Sequence, residues 1–82
     1  MTNRPALPFN GAKLLSIRAR LDLRQQDLSD KTAAAGRRIY PATISRYENG
    51  QSTPSTLNFG ALVRALGCDP DDLLDHVEAG AA

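Results

Sequence analysis

Apolar residues recur along this chain at helical rather than strand spacing. Leu14, Ile17 and Leu21 lie three and four apart, which predicts a first helix ending near Leu21. Asn10 suits its N-cap, and Phe9 and Leu14 have the spacing of a hydrophobic staple. A second helix starts near Gln25 with Leu28 as its buried anchor, and Ala33-Ala34-Ala35-Gly36 supplies helix formers followed by a glycine able to take positive φ. Arg37-Arg38-Ile39-Tyr40 then reads as a connector. Pro41 fits the first turn of a third helix and Gly50 its end. On that helix Ile44 and Tyr47 define a core face. At about 100° per residue, Ala42, Arg46 and Asn49 point the other way, flanked by Thr43 and Ser45. Ser55 caps a fourth helix, whose Phe59, Leu62, Val63 and Leu66 form a stripe ended by Gly67. Asp69-Pro70-Asp71-Asp72 opens a fifth, with cap, proline and first-turn acids in the order that complements the helix dipole. Its apolar positions are Leu73, Leu74 and Val77. No useful length alternates with a period of two, so the expected fold is all-α with five helices. It would occupy residues 10–78, after a flexible N-terminal arm over 1–9 that holds two prolines and before a disordered tail over 79–82.

Composition narrows the functional classes. At 82 residues, 41% hydrophobic and 23% charged, the chain can build one small core but not the layered cleft of most enzymes. No apolar run approaches the roughly 18 residues of a membrane span, and the N-terminus lacks a secretory stretch, so no membrane partner and a cytoplasmic location are expected. Cys68 is the single cysteine and reads as packed. No Cys and His cluster has metal-ligand spacing, so neither metal nor cofactor is expected. His76 has no catalytic companion and reads as a surface histidine. Asp69, Asp71 and Asp72 are explained as caps and dipole partners. The chain is not expected to be an enzyme.

The net charge of +1 conceals a gradient. Met1 to Arg46 carries nine Lys or Arg against three acids, a net +6; Tyr47 to Ala82 carries one against six, a net −5. A basic half is the footprint of a polyanion partner, although a solvated helix surface would also produce it.

Three pieces carry a more specific signal: Leu23-Arg24-Gln25-Gln26-Asp27-Leu28-Ser29, Thr43-Ile44-Ser45-Arg46-Tyr47-Glu48-Asn49-Gly50, and Ala65-Leu66-Gly67 before an acidic helix start. In this order they resemble the helix-turn-helix family of phage repressors and Cro, the XRE family, over about Gly11 to Asp75. The resemblance implies a repressor-like fold and a double-stranded DNA partner. Helix 41–49 would be the reader in the major groove, with Pro41, Ala42, Thr43, Ser45 and Arg46 at base-facing positions. Arg46 could grip guanine O6 and N7 together, take a phosphate, or pair within the molecule. Gln25 would clamp a phosphate at the start of helix two, or else be an ordinary exposed glutamine. Asn49, Gln51 and Thr53 would offer phosphate contacts from a loop that contains no Lys or Arg. Arg18 and Glu48 match a family ion pair joining helix one to helix three.

The chain departs from the family between helices two and three, where a turn of roughly three or four residues is usual. Residues 33–40 form a connector about five residues longer. Ile39 matches the position that plugs this turn into the core, so the extra residues are expected to lengthen helix two and bulge outward. Arg37 and Arg38 would then lie beside the reader helix, contacting phosphate or solvated. Arg24 replaces the usual hydroxyl cap of helix two, weakening the cap while adding a base near the DNA. The leading expectation is a sequence-specific transcriptional regulator, a repressor acting as a homodimer on a two-fold operator. The competing one is an antitoxin-like adaptor that binds a protein partner through its acidic half and uses DNA for autoregulation.

Overall fold

Three of the four helices start, and all four stop, where a nearby group satisfies free backbone ends. The computed structural model describes residues 8–75 and contains α1 (Gly11–Arg20), α2 (Gln25–Ala34), α3 (Pro41–Glu48) and α4 (Thr56–Leu66), followed by a 3-10 turn over Pro70–Leu73. Asn10 Oδ1 accepts from the Ala12 and Lys13 amides at 2.9 and 3.2 Å, and Ser55 Oγ accepts from the Asn58 amide at 3.1 Å. Helix α2 is capped differently: the Asp27 carboxylate reaches back to accept from the Arg24 amide at 2.8 Å, the second half of a capping box.

The first three helices end in the same way, and α4 repeats it, with Gly67 at φ 66° and the Cys68 amide donating to the Val63 carbonyl at 3.3 Å. The amides of Leu23, Arg37 and Gln51 donate to the carbonyls of Arg18, Thr32 and Arg46 at 3.0, 3.0 and 2.8 Å, the six-to-one bond of a Schellman motif. The residue before each donor takes positive φ: Asp22 at 61°, Gly36 at 106° and Gly50 at 77°. Glycine adopts this conformation without steric cost, whereas Asp22 occupies it as one of the few side chains that tolerate it.

The long connector is folded back onto the core. Helix α2 absorbs Ala33 and Ala34, and the chain reverses at Gly36. The Thr32 hydroxyl donates to the Ser29 carbonyl at 2.7 Å and accepts from the Ile39 amide at 2.8 Å. This pair of hydrogen bonds seats Ile39 in the core cluster with Leu14, Leu28, Ile44 and Leu62. Ser29 and Thr32 are themselves fully buried, which is tolerable because the hydroxyls are hydrogen-bonded.

One expectation is corrected. There are four α-helices among the described residues and not five: after Asp69 the chain makes one 3-10 turn, and Leu74 is extended at φ −114° and ψ 152°. Backbone pairing explains this. Leu74 bridges Phe9 in antiparallel fashion, the Asn10 amide donates to Leu73 O at 2.9 Å, and the Asp75 amide donates to Pro8 O at 2.8 Å. A helix continuing through Leu74 would forfeit these bonds. Val77 and His76 lie outside the described residues, as do residues 1–7 and 79–82. The same pairing holds Pro8 and Phe9, the last two residues of the expected arm, against the backbone around Leu74. The Phe9 ring meets Tyr47 and Phe59 edge-on at centroid distances of 6.0 and 6.4 Å. Leu21, where the first helix was expected to end, is the C-cap of α1 and is 48% exposed. No helix among the described residues is long and apolar enough to cross a membrane.

The start of α1 lies directly against the backbone at the end of α3. A Cβ on Gly11 would stand 2.0 Å from the Tyr47 carbonyl oxygen and 3.0 Å from that of Glu48. Both obstacles are backbone, so neither can rotate aside. Gly11→Ala is expected to destabilise by about 1 to 3 kcal/mol, as overpacking does, lowering the melting temperature by roughly 4 to 8 °C per kcal/mol. An unchanged thermal melt would contradict this contact.

Candidate nucleic-acid interface

Helix α3 has two distinct faces. Ile44 and Tyr47 are buried, at 0% and 4% exposure, and anchor the helix on the core. On the other side Ala42, Arg46 and Asn49 are exposed, with Pro41, Thr43 and Ser45 half-buried at the margin. Among the described residues the Arg46 guanidinium has no hydrogen-bond or ion-pair partner, while the Asn49 amide donates to Ser45 Oγ at 3.4 Å. The exposed face is therefore short, polar and interrupted by the small Ala42, a shape that can approach another surface closely.

What fixes this face in space is a charged network behind it. Arg18 Nε donates to Glu48 Oε2 at 2.6 Å and Nη2 to Oε1 at 3.0 Å, while Nη1 donates to the Leu23 carbonyl at 2.8 Å. The side chains are only 14% and 4% exposed. Hydrogen bonding to Glu48 raises the Arg18 pKa further above its ordinary value, with burial opposing and the Glu48 charge assisting. Gln25 Nε2 adds a third bond to Glu48 Oε1 at 3.0 Å. One carboxylate at the end of α3 thus gathers α1 and the first residue of α2. Gln25, expected to clamp phosphate, has its amide nitrogen engaged here and retains its oxygen.

Three further arginines each have an internal companion. Exposed Arg24 pairs with Asp27 through Nε and Nη2, both at 3.1 Å, so the cap is secured by charge and not weakened as expected. Hydrogen bonds from the Arg24 side chain and backbone hold the Asp27 carboxyl down at about 2. Arg38 Nη1 donates to Ser29 Oγ and Asp30 Oδ1, both at 3.1 Å. Its guanidinium also lies 5.9 Å from the centre of the Tyr40 ring. Arg37 Nε donates to Asn58 Oδ1 at 2.6 Å. Gln51 and Thr53 are exposed in the loop after α3. Gln25 thus meets the C-terminal end of α3 through Glu48, with Asn49 and Gln51 following that helix in the chain, and Arg38 precedes its N-terminus.

Two residues at this surface escaped the sequence reading. Tyr40, 64% exposed, is the N-cap of α3 but makes no capping bond; an aromatic directly before the helix-starting Pro41 was the available signal. Asn58 contacts both Arg37 and the Tyr47 hydroxyl, and no local pattern distinguishes it.

Residues 14–73 match the family model described as Helix-turn-helix. A search of the curated proteins finds no match. Among solved structures, the P22 c2 repressor, crystallised with a synthetic operator, is 31% identical at a TM-score of 0.69, covering 79% of this chain and 91% of that one. The restriction-modification controller protein C.AhdI from Aeromonas hydrophila is 25% identical at a TM-score of 0.69, covering 78% and 89%. The clp gene regulator ClgR from C. glutamicum is 26% identical at a TM-score of 0.64, covering 76% and 74%.

Removing Glu48 would strand the Arg18 charge in a poorly hydrated site, so Glu48→Ala is expected to cost about 3 to 5 kcal/mol in urea unfolding; a loss below about 1 kcal/mol would mean that water replaces the carboxylate. The Asp27 shift sets an acid limit. Its folded pKa of about 2 lies below the ordinary 3.8, so its contribution is complete above the ordinary value and vanishes as pH falls through the folded one. Between pH 5 and pH 2, Asp27→Asn should lose less stability than the parent; equal losses would show that the pair does not act on folding.

Proposed function

The chain belongs to the XRE family of helix-turn-helix proteins, and on that premise we propose that it is a repressor binding a two-fold operator as a homodimer. It is a DNA-binding transcription regulator of the Cro/C1 type. The observation that carries the finer reading is the exposed face of α3, with an unengaged Arg46 on a helix held from behind by Arg18, Glu48 and Gln25. An α-helix fits the major groove, and side chains near its N-terminus reach base edges. Pro41 and Ala42 supply apolar contact suited to a thymine methyl, Thr43 and Ser45 supply hydroxyls, and Arg46 supplies a fork matched to guanine.

Phosphate contacts fall to groups on either side of this helix. Arg24 and the Gln25 oxygen lie at the N-terminus of α2, where the dipole favours anions. Asn49, Gln51 and Thr53 follow α3, and Arg38 precedes it. Arg37, whose Nε is committed to Asn58, stands apart from these. A single copy neutralises few phosphates, which is why two copies on half-sites about 34 Å apart are proposed. The P22 c2 repressor, crystallised with a synthetic operator, supports the docking mode by likeness.

Selection of bound duplexes from a random pool, followed by footprinting and titration, tests this reading. A two-fold consensus with protection of both halves is expected; monomer stoichiometry on one half-site would refute the dimer. Arg46→Ala should weaken binding by about 1 to 3 kcal/mol per half-site and relax preference at one base position. Uniform weakening across sequences with a shallower salt dependence would place Arg46 on phosphate instead.

A further inference from the structure

The inserted connector carries a hydrogen-bond chain that ends on the buried face of the reader helix. Arg37 follows the reversal at Gly36. Its Nε donates to Asn58 Oδ1 at 2.6 Å, and Asn58 Nδ2 donates to the Tyr47 hydroxyl at 2.9 Å. Asn58 is itself fixed, since it sits in the first turn of α4 with its amide capped by Ser55. Tyr47 is the core aromatic of α3, 4% exposed and packed edge-on against Phe9.

We infer that Arg37 is a positioning residue for the reader helix and not a phosphate ligand: through the Asn58 amide and the Tyr47 hydroxyl it ties the connector to α4 and fixes the seat of α3. The inference rests on the DNA-reading role given to α3. Its chemistry is set by donor direction. Nε can only donate, so it selects the oxygen of the Asn58 amide, which turns the NH2 group toward Tyr47. Without Arg37 that orientation loses its cause, and the amide is free to reverse. The connector needs such a tie because it is longer than a tight helix-turn-helix turn. Thr32 secures its middle by binding the Ile39 amide, but among its side chains only that of Arg37 reaches α4 through a hydrogen bond. The guanidinium is exposed, so its charge is well screened; a directed hydrogen bond to Asn58 is where its effect would lie.

Arg37→Gln separates the two roles. Glutamine Nε2 is the same number of bonds from the backbone as arginine Nε, so this variant keeps the donor and discards the charge. Each variant is first shown to be folded by circular dichroism, then titrated against a duplex selected by the parent and a random duplex of equal length, over a range of salt. For Arg37→Ala, affinity for the selected duplex is expected to fall about tenfold with random binding and salt slope unchanged. Arg37→Gln is expected to restore it. Asn58→Ala should match Arg37→Ala, and the double variant should lose no more than either alone. A salt slope reduced by about 1 per half-site in both Arg37→Ala and Arg37→Gln would make Arg37 a phosphate ligand. Additive losses at Arg37 and Asn58 would break the chain, and either result overturns the inference.

A second arm needs no DNA. Backbone amide resonances from Ala42 to Glu48 should shift in Arg37→Ala and return in Arg37→Gln; unmoved resonances overturn the positioning role. A parent protein that prefers no duplex over random sequence would instead overturn the DNA reading.

Discussion

The position of α3 depends on one buried carboxylate. Glu48 accepts two bonds from Arg18 and one from Gln25, and Arg18 spends its remaining nitrogen on the Leu23 carbonyl in the turn between α1 and α2. Dispersion between apolar side chains is non-directional and would allow α3 to roll on its core face. Charged hydrogen bonds have direction as well as energy. They convert a helix resting on a greasy surface into one held at a defined angle, which is what reading base edges requires. The closeness of Gly11 to the end of α3 follows from the same arrangement, since only a residue without a Cβ lets α1 approach this near.

This division of labour accounts for the surface chemistry. Residues that look alike in sequence, a series of arginines in the basic half, receive different tasks from their neighbours. Arg18 is internal, Arg24 neutralises its own helix cap, Arg37 and Arg38 brace the connector, and Arg46 is left unengaged among the described residues. Net charge by itself could not sort them. Under the proposed reading, the net positive charge of this half would steer DNA to the surface, while specificity falls to the side chains least occupied with the fold.

The connector shows how a fold accommodates added length. A longer loop costs little entropy, yet an unpinned one would leave α3 loosely tethered. The chain answers with a glycine reversal, a buried threonine that captures the Ile39 amide, and side-chain ties to α2 and α4. The polar residues Ser29 and Thr32 are buried for this purpose, and their periodic position on α2 would otherwise be read as merely tolerable.

The sequence by itself determined the helices α1 to α4, the caps at Asn10 and Ser55, the start of α3 at Pro41, the reversals at Gly36 and Gly50, and the two-faced character of α3. All of these depend on residues within about four positions of one another, where periodicity and capping act. The motif order was also enough to place the family. What the tertiary structure alone decided involves partners far apart in the chain. The expected fifth helix became a 3-10 turn because Phe9 and Pro8 capture the backbone around Leu74. Gln25 turned inward because Glu48 stands beside it, and Asn58 links the connector to α3 because Arg37 and Tyr47 both reach its side-chain amide. A competition between local propensity and distant hydrogen bonds is settled only when the distant groups arrive, and no window of the sequence contains both sides of it.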